Sequence, residues 1–123
     1  MSLRILHAVE FYSPSVGGAQ EVVKQISERL AARGHQVTVA TSRIDARATQ
    51  SIGGVEVEQF DIRGNAVRGL EGEVERYQRF VIDSDFDLVM TYAAQQWTTD
   101  ALLPVIDQIK AARSSAVRFL GAR

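Results

Sequence analysis

Residues 4–41 read RILHAVEFYSPSVGGAQEVVKQISERLAARGHQVTVAT, and the order of patterns within them decides the fold. Arg4 to Val9 is short and mostly apolar, which suits a strand buried on both faces of a parallel sheet. A loop from Glu10 to Gly18 follows, with Pro14 and the pair Gly17-Gly18. Ala19, Val22, Val23, Ile26 and Leu30 then recur at helical spacing, with Gln20, Lys24, Gln25, Glu28 and Arg29 on the other side. Arg33 and Gly34 mark the helix end: a cation near the negative pole, then a residue free to turn left-handed. Val37 to Thr41 is a second β-rich run. Strand, helix and strand in this space make a βαβ unit, whose crossover is right-handed almost without exception.

Outward from this unit the alternation continues. Ser42 to Gly54 is polar and predicts a loop closed by Gly53-Gly54, and Val55 to Glu58 alternates as a half-exposed strand near a sheet edge. Arg63 to Gly72, with three glycines, is the most flexible-looking stretch. Leu70, Val74, Tyr77 and Val81 form a second amphipathic pattern, and Phe86 to Tyr92 reads as a fourth strand. Thr98, Thr99 and Asp100 suit the N-cap of a helix through Leu102, Leu103, Ile106 and Ile109, with Pro104 in its first turn or at a kink. Ala116 to Leu120 is a fifth strand.

The expectation is an α/β fold: a Rossmann-like open parallel sheet of about five strands with helices on both faces, as one domain over residues 1–123. In such sheets ligands bind beyond the carboxyl ends of the strands, where the strand order reverses. Those ends are Glu10 to Gly18, Thr41 to Arg43 and Tyr92 to Trp97. A last strand with no helix after it leaves one sheet face incompletely covered, as in a truncated or interrupted unit.

Composition excludes several classes of function. Fourteen basic and 15 acidic residues leave a net charge of -1, so no overall field attracts nucleic acid or anionic lipid. The chain has no cysteine, hence no disulfide or thiolate metal site, which fits a cytoplasmic protein. No apolar run approaches the roughly 20 residues of a membrane span. Two isolated histidines without clustered carboxylates make a poor metal site. His7, inside a strand, reads as a satisfied core histidine, and His35 as a structural or solvated turn residue. Asp85 and Asp87 read as solvated turn residues rather than an acid/base pair.

Gly17 and Gly18 carry the clearest functional signal. Two adjacent glycines let the backbone approach a ligand and leave N–H groups free at the positive end of a helix, which suits a phosphate. A tight strand-to-helix turn would use the same pair, and the pair alone does not choose between the two. The stretch has neither G-x-G-x-x-G nor G-x-x-x-x-G-K-[ST] spacing. The second strand ends in Thr41-Ser42-Arg43 without the acidic residue that grips an NAD ribose. Glu10 and Glu21 flank the loop, where their charge would repel a diphosphate and suit acceptor hydroxyls instead.

Taken together, Arg4-Ile5-Leu6, then Phe11-Tyr12-x-Pro14-x-x-Gly17-Gly18-Ala19, then Val22-Val23 through Gly34-His35-Gln36-Val37-Thr38-Val39 resembles the opening of the retaining glycosyltransferases of the GT-B fold, family four. The likeness covers about the first third of the chain. It implies an N-terminal, acceptor-side domain whose C-terminal partner, absent here, would hold most of a nucleotide-diphosphate sugar. By the same resemblance Gly17 and Gly18 approach the diphosphate, and Tyr12, Gln20, Tyr92, Gln95 and Trp97 line the acceptor site. It further implies a metal-independent transferase with no cofactor beyond the donor sugar. The acceptor would be a sugar or lipid-linked molecule, and the location cytoplasmic, with peripheral contact at the inner membrane face left open. Met90 and Tyr92 stand where the family often has histidine, and no catalytic residue can be named. Trp97 equally suits covering the start of the last helix. Two other readings stand beside this one: a self-contained nucleotide- or flavin-binding module, and an interaction domain that has kept the sheet and lost its chemistry.

Overall fold

The computed structural model describes residues 2–12, 18–44, 51–92 and 96–120. Five strands run parallel: β1 (Arg4–Ala8), β2 (Gln36–Ser42), β4 (Val55–Phe60), β7 (Leu88–Tyr92) and β8 (Val117–Leu120). A sixth, β3 (Ser51–Ile52), pairs antiparallel with β4. The sheet order is β3-β4-β2-β1-β7-β8, so the direction of strand addition reverses between β1 and β7. The carboxyl ends of these two strands mark the switch point at which doubly wound sheets bind ligands.

Strand alternation divides the interior into two layers. Val9, Val37, Val39, Val55 and Val57 pack with Val23 of α1 (Gly18–Ala32) on one face. Leu6, Ala8, Ala40 and Val89 face the other way, against Tyr77 and Val81 of α2 (Val74–Asp83) and Trp97, Ala101, Leu102 and Ile109. The helices therefore cover both faces, as expected for a Rossmann-like sheet.

The buried face of α1 is rotated from the apolar stripe in the sequence. Val23 and Ser27 are buried, whereas Val22 and Ile26 are 54% and 40% exposed. The reason lies on β1, where His7 places its Nδ1 2.8 Å from the Ser27 hydroxyl inside the core. A buried imidazole needs that partner more than the interface needs another aliphatic contact. The helix ends as its sequence predicts. Gly34 adopts φ +95°, and the N–H groups of Gly34 and His35 donate to the carbonyls of Ala31 and Leu30.

Other expectations are corrected. Gly53-Gly54 does not close a plain loop but turns β3 back onto β4, and β4 lies near the sheet edge as expected, second from it. Arg63 to Gly72 is ordered as part of a hairpin, β5 (Ile62–Asn65) with β6 (Gly69–Gly72). Its glycines serve close approach: Gly72 sits at φ +106°, and a Cβ there would fall on the Asp61 carbonyl oxygen. The fourth strand begins at Leu88 rather than Phe86, because Asp85 turns at φ 52° and the Asp87 carboxylate accepts the Arg4 N–H at 2.9 Å. The last helix is broken into α3 (Trp97–Asp100), a 3₁₀ segment (Leu103–Gln108) and α4 (Lys110–Arg113). Pro104 lacks the N–H an α-helix would use, and Ile109 is extended (φ -87°, ψ 126°), which ends the 3₁₀ turns. The N-cap position falls on Gln96, without a side-chain cap. Thr98 and Thr99 are buried, and the Asp100 carboxylate accepts the Ala66 N–H from the hairpin turn instead.

Candidate functional site at the carboxyl ends of the strands

The segment leaving β1 is fastened to the end of β2. The Glu10 carbonyl accepts the Ser42 N–H and the Thr41 hydroxyl, both at 3.0 Å. The end of β2 is fastened in turn to β4, where Arg43 N–H donates to Phe60 O at 3.1 Å and Ile44 N–H to the Gln59 side chain at 3.0 Å. These ties spread the three strand ends around a cleft of about 390 Å³. Glu10 and Phe11 form one wall; Ser42, Arg43, Asp61 and Arg63 contribute to the rest. Phe11 is 50% exposed, an aromatic face left open beside polar groups. Partial burial pushes the Glu10 carboxyl above its ordinary value, so it holds a proton more readily than a free glutamate.

A second hollow of about 310 Å³ adjoins the first through Arg43 and is closed by an ion-pair network. Arg76 reaches Glu73 and Glu58, each at 3.1 Å, and lies 4.2 Å over the Phe60 ring. The Glu73 carboxyl is held low, first by the Asp61 N–H at 2.9 Å and then by Arg76. Arg76 and Glu73 are thus committed to joining α2 to the end of β4.

The structure separates the site residues expected from sequence. Gly17 and Gln95 lie outside the described residues. Gly18 opens α1, at the helix pole suited to an anion. Gln20 is half-buried in the first turn of the same helix. Tyr92 ends β7 at the switch point, half-buried, with its ring edge-on to His7 at 5.6 Å. Its hydroxyl is enclosed and has no hydrogen-bond partner among the described residues. Tyr12 and Trp97 have no exposed surface. Tyr12 belongs to the α1-side core. Trp97 stacks edge-on with Tyr77 at 5.0 Å and donates its Nε1–H to Ser42 Oγ at 2.9 Å. In this structure Trp97 covers the core at the start of the last helix and offers no face to a sugar. Phe11 is the open aromatic, a site residue that sequence reasoning noted only as part of a motif. Arg63 was missed because nothing local reveals that the hairpin brings it to the cleft.

His7 is wholly buried and its pKa is pushed down to about 4 by burial; Ser27 satisfies its Nδ1, while its Nε2 has no hydrogen-bond partner among the described residues, so it is a core histidine only half satisfied. His35 Nδ1 accepts the Leu3 N–H at 3.1 Å, a structural contact in the turn. No group of three or more His, Cys, Asp or Glu that could hold a metal occurs among the described residues. No helix among them is long and apolar enough to cross a membrane.

Residues 17–114 match the family model described as a glycosyl transferase 4-like domain. Among solved structures, sucrose-phosphate synthase from Thermosynechococcus elongatus superimposes with a TM-score of 0.59 at 14% identity. The match covers 96% of this chain and 32% of that one, so the chain spans about a third of the length of that enzyme. No curated protein matches the sequence. Four-fifths of the residues fall within the family match, and the doubly wound sheet is the fold of the solved relative. The chain belongs to the glycosyl transferase 4-like domain family.

Proposed function

We propose that this domain is the acceptor-side half of a retaining glycosyltransferase that draws its sugar from a nucleotide-diphosphate donor. The observation that carries the proposal is the open cleft at the carboxyl ends of β1, β2 and β4, in a chain of this family. Phe11 offers an apolar face for one side of a pyranose ring, and Glu10 and Asp61 offer acceptors for its hydroxyls. Gly18, at the start of α1, and Gly17 before it in sequence would let the backbone come close to the donor diphosphate. The N–H groups there oppose the charge that gathers on the diphosphate as its bond to the sugar breaks. Gln20 and Tyr92 border the same end of the sheet, and Gln95 follows Tyr92 closely in sequence. Tyr12 and Trp97 act from within, by packing the segment that leaves β1 and the start of α3 against the core. A second domain would supply most of the donor site, and the reaction would need no metal and no cofactor. A cytoplasmic location, with the inner membrane face open to contact, fits an acceptor that is a sugar or a lipid-linked molecule.

The test is a transfer assay with labelled nucleotide-diphosphate sugars, run on residues 1–123 alone and on the protein joined to its donor-binding domain. The joined protein is expected to form product with the donor's anomeric configuration kept, and residues 1–123 alone to form none. Full turnover by residues 1–123 would refute the two-domain mechanism. A joined protein that binds no nucleotide sugar would refute the transferase reading itself.

A further inference from the structure

The charged groups of the carboxyl-end cleft are not paired with one another. Arg43 and Arg63 both line it and both are exposed. Among the described residues neither guanidinium makes an ion pair or a side-chain hydrogen bond. The neighbouring Arg76 shows what this fold does with an arginine whose role is structural: two carboxylates and an aromatic ring hold it in place. Glu73 and Glu58 are engaged with Arg76, and Arg43 feels Glu73 only as a weak, distant charge. Glu10 and Asp61 share the cleft with the two arginines, and among the described residues neither carboxylate makes an ion pair.

Position adds to this. Arg43 follows β2 and is tied through its N–H to Phe60, the last residue of β4. Arg63 lies in β5, two residues after Asp61, so both arginines rise from the β2–β4–β5 side. Glu10 and Phe11 come from the segment leaving β1. One wall thus carries the two arginines with Asp61 between them in sequence, and the other an aromatic face with a carboxylate.

We propose that the cleft takes an acceptor sugar bearing an anionic group, with Arg43 and Arg63 holding the anion and Phe11 and Glu10 receiving the ring and its hydroxyls. Guanidinium forks match phosphate and carboxylate oxygens in pairs, which makes two unpaired arginines in one cleft an anion-binding arrangement. This inference rests on the acceptor-side reading of the cleft and names the acceptor's chemical class.

The test measures binding of a hexose, its 6-phosphate and the corresponding hexuronate to the full chain by calorimetry, at low and at 0.5 M salt. The expected result is that the 6-phosphate binds at least about tenfold more tightly than the hexose, with the advantage shrinking at high salt. A greater advantage for the hexuronate would assign the anion as a carboxylate. Arg43→Gln with Arg63→Gln should abolish the preference while leaving the thermal melt unchanged, since both side chains are solvated. Phe11→Ala should weaken the hexose and its 6-phosphate alike. Equal affinity for all three ligands, or a preference that survives the double variant, would overturn the inference. Transfer to neutral sugars with no anion preference would sink the inference and leave the proposed function standing. Anion-selective binding in a joined protein that transfers to no acceptor would do the reverse.

Discussion

Trp97→Ala is expected to destabilise the fold by about 3–5 kcal/mol, the range for emptying a buried tryptophan site. The ring has no exposed surface and stacks edge-on with Tyr77 at 5.0 Å and with Phe60 at 6.3 Å. Its Nε1–H also joins the start of α3 to Ser42 at the end of β2. Alanine would remove a large volume from the centre of the α2-side core and cut that link at once. A domain of ordinary stability holds about 5–15 kcal/mol in all, so the variant would sit near the edge of folding. Trp97→Phe retains most of the ring and loses the hydrogen bond, and is expected to cost about 1–2 kcal/mol. Urea denaturation should show midpoints falling in the order wild type, phenylalanine, alanine, with similar slopes. A loss below about 1 kcal/mol for alanine would mean the ring is not a core element, and a sugar-stacking role for Trp97 would then return.

Acidification from pH 7 to pH 4 is expected to remove about 3 kcal/mol of stability through His7 alone. The imidazole is wholly buried beside Ser27, and burial lowers its pKa from 6.5 to about 4. Between those values the unfolded chain binds a proton that the folded chain refuses. Stability from this group is therefore complete above pH 6.5, falls as the pH drops through the window, and levels off below about 4. His7→Gln keeps a polar group for Ser27 and cannot titrate. It should be less stable than wild type at pH 7 yet lose the slope between pH 6.5 and 4. Glu73 and Asp87, whose carboxyls are held low by the N–H groups of Asp61 and Arg4, lose their contribution as the pH falls below their ordinary range. They do so in both proteins and cancel in the comparison. Parallel stability curves for wild type and His7→Gln would show that His7 is not held neutral in the core.

The sheet was legible from residues 4–41 because a buried parallel strand, an amphipathic helix and a glycine-ended turn each have a local signature. Gly34 and the apolar runs of β1 and β2 behave as those signatures require. The rotation of α1 was not legible, because it depends on His7 meeting Ser27 across 20 positions. The break after Trp97 was only half legible: Pro104 signals it, but the extended backbone at Ile109 follows from docking against the sheet. The candidate site was legible as a place, since the strand ends follow from the strand order. Its individual side chains were not. Tyr12 and Trp97 carry polar tips that suit a ligand as well as a core, and only packing shows both to be enclosed. Arg63 reaches the cleft through a hairpin whose glycines looked like mere flexibility.

On the proposed function, the carboxyl end of the sheet, not another hollow of similar size, receives the acceptor. A cleft of about 360 Å³ at the amino end, lined by Arg4, His35, Gln36, Thr38, Glu56 and Phe86, provides the comparison. The decisive measurement is the acceptor KM of the joined transferase carrying Phe11→Ala at one end or Gln36→Ala at the other. The expected result is a rise of about tenfold for Phe11→Ala, the scale of one lost aromatic contact, and no change for Gln36→Ala. A rise confined to Gln36→Ala would contradict it.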